Sequence, residues 1–196
     1  MNKLSYSLGA SIAFNLKGQK ISIESFEDFY NGLKDVLTDN NLKLTESEIN
    51  EEIQNYFEMQ QKSIYQNNIN EGEQFLEENS KRQNVVTLES GLQYEIIKEG
   101  NGEKPLLSDT VTTHYHGTLI NGEVFDSSIR RGQPATFPVS GVIKGWTEAL
   151  QMMSVGSKWK LYIPHHLAYG SQGAGNSIAP YTTLIFEVEL IDIKRR

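Results

Sequence analysis

The 196-residue sequence contains no cysteine, which excludes disulfide bonds, thiolate nucleophiles and cysteine-ligated zinc sites. It also lacks any apolar run close to the ~18 residues that a membrane-spanning helix needs. Positive charge is scarce, because 18 Lys and Arg are outnumbered by 25 Asp and Glu, for a net charge of −7. A surface of this sign does not attract phosphate backbones or anionic lipid headgroups. The composition therefore argues against nucleic-acid binding and against a membrane span.

The N-terminal sequence lacks the features of a strong secretory signal. Polar or small residues interrupt its first segment at Ser5, Ser7, Gly9 and Ser11, whereas a signal needs a continuous apolar stretch. We therefore expect a cytoplasmic protein. A periplasmic location is the alternative if a leader has been removed.

Proline is absent from residues 1–83, whereas all five prolines lie in residues 84–196. The first segment holds 8 Lys and Arg and 14 Asp and Glu, a net charge of −6, and the second segment is close to neutral at −1. The second segment also contains both tryptophans and 12 of the 16 glycines. These shifts predict two domains, a helical domain over residues 1–83 and a strand-rich domain over residues 84–196.

Apolar residues recur every four positions in the first predicted helix, as they do along one helix face: Leu4, Leu8, Ile12 and Leu16. A row of small residues, Ser5, Gly9 and Ala13, lies beside them and would let two helix backbones approach closely. This row fits packing within the chain as well as packing against a partner chain.

Two more helices are predicted in the first domain. The second covers residues 22–38, and Thr45 and Glu48 then form a capping-box pattern that opens the third. No proline follows until after residue 80, so the third helix is predicted to be a connecting rod of about 35 residues and roughly 50 Å. Apolar residues become sparse beyond Gln66, and we expect that part to be solvated.

A helical segment with so few apolar residues is marginal as an independent domain. We therefore hypothesise that residues 1–83 form a homodimerisation module, with the small-residue helix at the interface. A monomeric helical appendage is the alternative.

Residues 84–196 show strand periodicity. Leu92, Tyr94 and Ile96 alternate with polar residues, and residues 111–120, 159–163 and 183–193 are further predicted strands. Asn121 and Gly122 give a strong hairpin signal. One short helix is predicted over residues 145–152. The predicted fold class is α+β, an antiparallel sheet wrapped around a short helix.

Six motifs follow one another in this second domain: His114-Tyr-His-Gly117, Val124-Phe-Asp-Ser-Ser128, Gly141-Val-Ile-Lys-Gly-Trp146, Met153-Ser-Val-Gly156, Ala168-Tyr-Gly170 and Leu184-Ile-Phe-Glu-Val-Glu-Leu190. In this order and spacing they resemble the FKBP-type peptidyl-prolyl cis-trans isomerases over residues 86–193. The helical leader resembles that of the Mip-like bacterial members. That resemblance implies a homodimer with intertwined leader helices and a long helix carrying each catalytic domain.

The resemblance implies which residues wall a proline-binding pocket. The positions matching catalytic residues are Phe125, Asp126, Trp146, Tyr169 and Phe186. The positions matching substrate-binding residues are Tyr115, Phe137, Val142, Ile143 and Ile178. Trp146 would form the floor, and the Tyr169 hydroxyl and the Ile143 backbone N–H would donate hydrogen bonds to the ligand. Asp126 is expected to orient and polarise at the pocket edge near Tyr115, without abstracting a proton.

Three positions depart from the best-known members of the family. Ala135 replaces a frequent aromatic residue, and Ala174 and Ser177 replace larger loop residues. The rim is therefore expected to be smaller and less apolar. This affects the expected affinity for the macrolides tacrolimus and rapamycin more than it affects catalysis.

The implied reaction is rotation about the peptide bond before proline, whose barrier of ~18–20 kcal/mol comes from amide resonance. A pocket that removes water and favours the twisted amide would lower this barrier with no cofactor and no metal. His114 and His116 share the strand face opposite Tyr115 and are interpreted as surface residues. The expected partners are unfolded or partly folded proline-containing proteins. A binding scaffold or chaperone that only grips such segments is the competing hypothesis, and both roles are compatible in a dimer.

Overall fold

The computed structural model describes residues 1–19 and 21–195. The chain divides into two compact units, Met1–Gln54 and Asn55–Arg196, which we call the helical unit and the sheet unit. The composition of the sequence predicted a domain boundary after Gln83, whereas the two compact units meet after Gln54. The difference arises from a helix that composition groups with the other helices but that packs on the sheet.

The helical unit contains α1 (Lys3–Gly18), α2 (Phe26–Leu37) and the start of α3 (Glu46–Ile64). Each helix begins at a side-chain cap. Asn2 Oδ1 accepts from Ser5 N at 3.0 Å, and Ser25 Oγ accepts from Asp28 N at 3.2 Å. The capping box predicted at α3 is confirmed, because Thr45 N donates to Glu48 Oε2 at 2.8 Å and Glu48 N donates to Thr45 Oγ1 at 3.3 Å.

The predicted 35-residue rod is two helices. α3 ends at Ile64 and α4 (Gln66–Ser80) begins one residue later, with Tyr65 between them at φ −104° and ψ 20°. Neither proline nor glycine causes this interruption. At this interruption the Tyr65 ring contacts the Tyr181 ring, with 6.4 Å between the centroids. A tertiary contact of this kind leaves no local signal in the sequence.

The expectation that the chain beyond Gln66 is solvated is wrong, because α4 packs on the sheet. Asn79 is buried, and its Nδ2 donates to Gln93 Oε1 at 2.8 Å. Gln93 Nε2 in turn donates to the carbonyl of Leu76 at 2.9 Å. The Phe75 ring contacts the Tyr162 ring at 5.9 Å. Polar side chains therefore make much of this contact, so a search for apolar periodicity overlooks it.

The α+β fold predicted for the second domain is confirmed. Its strands are β1 (Val86–Thr87), β2 (Gln93–Lys98), β3 (Thr110–Leu119), β4 (Val124–Ser127), β5 (Ala135–Pro138), β6 (Lys158–Ile163) and β7 (Leu184–Lys194). They form an antiparallel sheet in the order β1-β2-β6-β7-β3-β4, and β5 pairs with β3. The predicted hairpin joins β3 to β4 through Gly122 at φ +85°.

One short helix, α5 (Lys144–Met152), packs against the sheet, as predicted. Ala149 and Leu150 of α5 are fully buried with Leu161, Val188 and Leu190 of the strands. Alternate residues of β3 are buried, which is the period expected for a strand with one face on a core. This arrangement places Trp146, in the first turn of α5, against the rings of Tyr115 on β3, Phe137 on β5 and Phe186 on β7.

Candidate functional site

A cavity of about 670 Å³ opens over the start of α5. All ten residues predicted for the site line it: Tyr115, Phe125, Asp126, Phe137, Val142, Ile143, Trp146, Tyr169, Ile178 and Phe186. Its remaining lining residues are Gly141, Ala174, Gly175 and Ser177. The residues come from four strands (β3, β4, β5 and β7), from α5 and from two loops, so the fold is needed to bring them together.

Trp146 lies in the first turn of α5 and is 4% exposed. The Ile143 carbonyl, just before the helix, accepts from Trp146 N at 2.9 Å and fixes this first turn. The rings of Tyr115, Phe137 and Phe186 meet the indole edge to face, with centroids 5.3 to 5.9 Å away. Edge-to-face contacts of this kind hold aromatic rings in defined orientations. The indole is therefore a rigid surface in the cavity wall.

Phe125 on β4 and Phe186 on β7 meet edge to face at 5.3 Å across Gly117 of β3. A Cβ on Gly117 would lie 2.7 Å from Phe125 Cζ and 2.9 Å from Phe186 Cε1. Only glycine leaves room for both rings at this point. The glycine of the His-Tyr-His-Gly motif thus has a direct structural role in shaping the cavity.

Asp126 lies at the edge of the cavity, as predicted, and accepts a hydrogen bond of 2.5 Å from the Tyr115 hydroxyl. Sequence analysis did not identify the third member of this group, Arg131, which forms an ion pair with Asp126. Arg131 Nη2 also donates to the Tyr115 hydroxyl at 2.7 Å, and the guanidinium carbon lies 5.5 Å from the Tyr115 ring centroid. The sequence feature that could have identified Arg131 is its position as a cation five residues after Asp126.

The three groups keep Asp126 ionised and Tyr115 protonated. Burial raises the pKa of the Asp126 carboxyl, but hydrogen bonds from Tyr115 and Arg131 outweigh burial and hold that pKa below its usual range. Burial, followed by the hydrogen bond to Asp126, raises the pKa of the Tyr115 hydroxyl. An anion with a depressed pKa and two donors is a poor proton acceptor. The geometry therefore suits an orienting role for Asp126.

The remaining lining residues lie on two loops. Val142 and Ile143 connect a single 3₁₀ turn, Val139–Gly141, to α5. Tyr169 and Ile178 lie on the loop between β6 and β7, where Ile178 is 6% exposed and Tyr169 is 39% exposed. Burial and then the charge of Asp126 raise the pKa of the Tyr169 hydroxyl. This hydroxyl is consequently a hydrogen-bond donor at neutral pH.

The three departures from the family pattern lie in different places. Ala174 and Ser177 line the cavity, whereas Ala135 begins β5 and pairs with Thr113 of β3. Ala135 is packed against the core. Ala174 N donates to the Ile178 carbonyl at 2.8 Å, so the backbone of this part of the loop is tied to itself despite its small side chains.

His114 and His116 face away from the cavity. Their Nδ1 atoms lie 3.1 Å from Ser128 Oγ and 3.0 Å from Ser127 Oγ. In residues 1–19 and 21–195, no group of three or more His, Asp or Glu side chains is arranged to hold a metal ion. Within the same residues, no helix is long and apolar enough to cross a membrane.

Comparisons with known proteins agree with the fold and the cavity. A family model described as FKBP-type peptidyl-prolyl cis-trans isomerase matches residues 101–191. A second model, described as the domain amino terminal to FKBP-type peptidyl-prolyl isomerase, matches residues 1–96. The two models together span both units of the chain.

Similar proteins include the outer membrane protein MIP of Legionella longbeachae, 43% identical over 99% of this chain and 86% of that protein. The FKBP-type 22 kDa peptidyl-prolyl cis-trans isomerase of Escherichia coli is 58% identical over 63% of this chain and 60% of its own length. The crystal structure of FkpA from Escherichia coli matches with a TM-score of 0.67 at 36% identity, covering 98% of this chain and 96% of that chain.

The name of the Legionella relative gives no support to the cytoplasmic location expected from the sequence. The family assignment, in contrast, is supported at every level: the order of the motifs, the antiparallel sheet on α5, the ten lining residues and relatives that match along the full chain. The chain belongs to the FKBP-type peptidyl-prolyl cis-trans isomerases.

Proposed function

We propose that the cavity binds the proline of an Xaa-Pro segment on Trp146 and accelerates rotation of the preceding peptide bond in proteins that are still folding. The observation that carries this proposal is the composition of the cavity. Aromatic and aliphatic side chains form most of its wall, and polar side-chain groups are supplied by Tyr115, Asp126, Tyr169 and Ser177. A site of this kind excludes water and keeps a few directed hydrogen-bonding groups.

Removal of water favours the twisted amide over the planar amide. Resonance places partial negative charge on the carbonyl oxygen of the planar form, and water stabilises that charge. The twisted form has less charge separation, so an apolar wall penalises it less. Because cis and trans ground states of an Xaa-Pro bond differ by only about 0.5–1 kcal/mol, the enzyme has only to lower the barrier.

Each side chain has a proposed role in this process. Trp146 is the floor under the pyrrolidine ring, and Phe125 and Phe186 are the walls above it. The Tyr169 hydroxyl donates a hydrogen bond to a substrate carbonyl, and the Ile143 backbone N–H is a second donor. Asp126 holds the Tyr115 hydroxyl in place. Phe137, Val142 and Ile178 contact the residues on either side of the proline.

Replacement of the floor tests the site. Trp146→Leu is expected to lower turnover of a short Xaa-Pro peptide about tenfold or more, because it removes the flat ring surface that positions the proline. Trp159→Leu is the matched control. Trp159 is also buried but stacks on Tyr94, 4.4 Å between centroids, outside the cavity. Equal turnover by the two variants, measured on folded protein, would contradict the site assignment.

A second proposed function is chaperone-like binding by a homodimer. In the helical unit, α1 and α2 have no buried residues. Large apolar side chains there are well exposed, among them Leu4, Leu8, Phe14, Phe26 and Leu37. We propose that part of this apolar surface pairs with a second copy through α1. Such a dimer would offer two catalytic units to one unfolded chain.

The proposed partners are therefore unfolded or partly folded proline-containing proteins. A periplasmic location is proposed because the Legionella relative carries an outer membrane name. Binding of tacrolimus or rapamycin is proposed at the same cavity, weakened by the small side chains of Ala174 and Ser177. Inhibition of peptide turnover by tacrolimus measures it directly, and a variant Ala174→Phe gives the comparison with a larger rim.

A further inference from the structure

We infer that Asn68 and Tyr65 are positioning residues for the isomerase reaction, acting through the loop between β6 and β7. We call residues 164–183 the rim loop. It carries Tyr169 and Ile178, two of the residues that line the cavity. The inference rests on the proposed role of the Tyr169 hydroxyl. It concerns a segment, α4 and the residue before it, that precedes the residues 101–191 matched by the catalytic family model.

The first contact joins α4 to the end of the rim loop. Asn68 Nδ2 donates to the carbonyl oxygen of Pro180 at 2.9 Å, and the contact is partly buried. It links residues 112 positions apart in the chain. A partly buried backbone carbonyl needs a hydrogen-bond donor, because an unsatisfied acceptor costs free energy. The amide of Asn68 therefore supplies a specific attachment point for this backbone.

The second contact fixes the next residue, Tyr181, in an uncommon conformation. Tyr181 has φ +59°, in the left-handed region that a bulky side chain rarely adopts, and it is 3% exposed. Its ring contacts the Tyr65 ring at 6.4 Å and the His165 ring at 5.3 Å. Such a conformation persists only when the surroundings enforce it. Tyr65 is part of those surroundings.

The two contacts lead directly to the cavity. The Tyr181 N–H donates to the Gly170 carbonyl at 2.8 Å, and the Gly170 N–H donates to the His165 carbonyl at 2.9 Å. Gly170 is the residue after Tyr169, so the backbone of Tyr169 is held by the base of its own loop. One hydrogen bond, one peptide unit and a second hydrogen bond separate Asn68 from this point.

Close packing fixes the last residue of the rim loop, Thr183, on α4. A Cβ on Gly72 of α4 would lie 3.2 Å from Thr183 Cβ and still closer to Thr183 Oγ1. Thr183 is itself buried. Tyr65 therefore contacts the rim loop at Tyr181, and Asn68 and Gly72 of α4 contact it at Pro180 and Thr183. A shift of the loop away from α4 moves the Tyr169 hydroxyl, and a misplacement of about 1 Å at a reacting site can cost a hundredfold in rate.

The test compares Asn68→Ala with Asn67→Ala in the full-length protein. Asn67 is an exposed neighbour on α4 and is the matched control. We expect Asn68→Ala to lower kcat/KM for a short Xaa-Pro peptide about threefold to tenfold, the range that one intramolecular hydrogen bond corresponds to. Asn67→Ala is expected to leave it unchanged. Asn68→Gln keeps the amide donor and is expected to restore part of the loss.

A spectroscopic measurement separates positioning from a general loss of stability. In ¹⁵N-labelled protein held well below its unfolding temperature, Asn68→Ala is expected to shift the amide resonances of Gly170 and Tyr181, while those of β2 stay in place. Tyr65→Leu, which leaves the Asn68 hydrogen bond intact, is a second variant. Tyr65→Leu is expected to shift the same resonances and, like Asn68→Ala, to lower turnover.

Unchanged turnover and unchanged Gly170 and Tyr181 resonances in both Asn68→Ala and Tyr65→Leu would overturn the inference. Tyr169→Phe separates this result from a failure of the proposed function. If Tyr169→Phe also leaves turnover unchanged, the proposed role of Tyr169 is wrong. If Tyr169→Phe lowers turnover while Asn68→Ala and Tyr65→Leu do not, the site stands and the positioning role of α4 is wrong.

Discussion

At the scale of single residues, the cavity depends on groups that hold other groups in place. Gly117 contributes no side chain, yet its bare Cα lets the rings of Phe125 and Phe186 meet above β3. Arg131 is nearly half exposed, yet it contacts both Asp126 and the Tyr115 hydroxyl. Gly117 ends one family motif and Arg131 follows another by three residues, so both positions were visible in the sequence. Their contacts depend on β3–β4 pairing and on the turn after β4.

The lowered pKa of Asp126 predicts the acid side of the pH profile. The carboxylate supports the site above about pH 4, where an unperturbed Asp ionises. That contribution is lost only as the pH falls through the lowered folded-state pKa, below the usual range. Turnover measured without a coupling protease should therefore show no Asp126-dependent decline between pH 7 and about pH 4.

Asp126→Asn is the control for this profile. It removes the titrating group and keeps an oxygen that can accept from the Tyr115 hydroxyl. A decline between pH 6 and about pH 4 that is present in the parent protein and absent in Asp126→Asn would contradict the assigned direction of the pKa.

At the scale of elements, the packing of α4 on the sheet is the feature that the sequence did not predict. Motifs such as Gly141-Val-Ile-Lys-Gly-Trp146 are local, and eight of the ten predicted cavity residues lie within such motifs. The short helix α5 and the hairpin at Gly122 were also predicted from local sequence. The contacts of α4 are long-range and largely polar, including Asn68 with Pro180 and Asn79 with Gln93. Nothing local to residues 66–80 distinguishes such contacts from solvation. The break at Tyr65 was unpredictable for the same reason.

Gly72 provides a prediction about this helix. Gly72→Ala introduces a Cβ that clashes with Thr183 and is expected to destabilise the sheet unit by about 1–3 kcal/mol, reduced by the roughly 1 kcal/mol that alanine gains over glycine in a helix. Both tryptophans lie in the sheet unit, so urea unfolding followed by tryptophan fluorescence measures this change.

Asn70→Ala is the matched control for Gly72→Ala, because Asn70 is exposed on the same helix. Its unfolding free energy should stay within about 0.5 kcal/mol of the parent value. A Gly72→Ala protein as stable as Asn70→Ala would show that α4 is not tightly packed on Thr183.

At the scale of the whole molecule, the negative charge and the apolar exposure are concentrated in the same part of the chain. Residues 1–83 carry a net charge of −6, and the helical unit exposes many large apolar side chains. A monomer rarely leaves such side chains in contact with water over a whole unit. The charge is well suited to keep this segment soluble, and the apolar surface is well suited to a partner.

The dimer proposal gives a prediction at this scale. Leu8→Glu places a charge in the apolar row of α1 and is expected to yield a monomeric mass in light scattering at micromolar concentration. Short-peptide turnover should persist, because the cavity is formed within the sheet unit. Acceleration of proline-limited refolding of a whole protein should fall.

Ser7→Glu adds the same charge at an exposed position of α1 outside both the apolar row and the small-residue row, and it should keep the dimeric mass. The proposal is wrong if the parent protein is itself monomeric. It is also wrong if Leu8→Glu leaves both the mass and the refolding rate unchanged.

The attachment of α4 to the sheet also decides where the chain can be shortened. A fragment that begins after Gln83 would uncover Gln93, Tyr162 and Thr183, which are between 2% and 4% exposed in the intact chain. It would also remove the donor to the Pro180 carbonyl. If such a fragment lost activity, the cause would be ambiguous, because the truncation removes both the helical unit and the α4 helix that packs on the sheet. A truncation that keeps Asn55 onward separates the two, because it retains α4 with the strands that it covers.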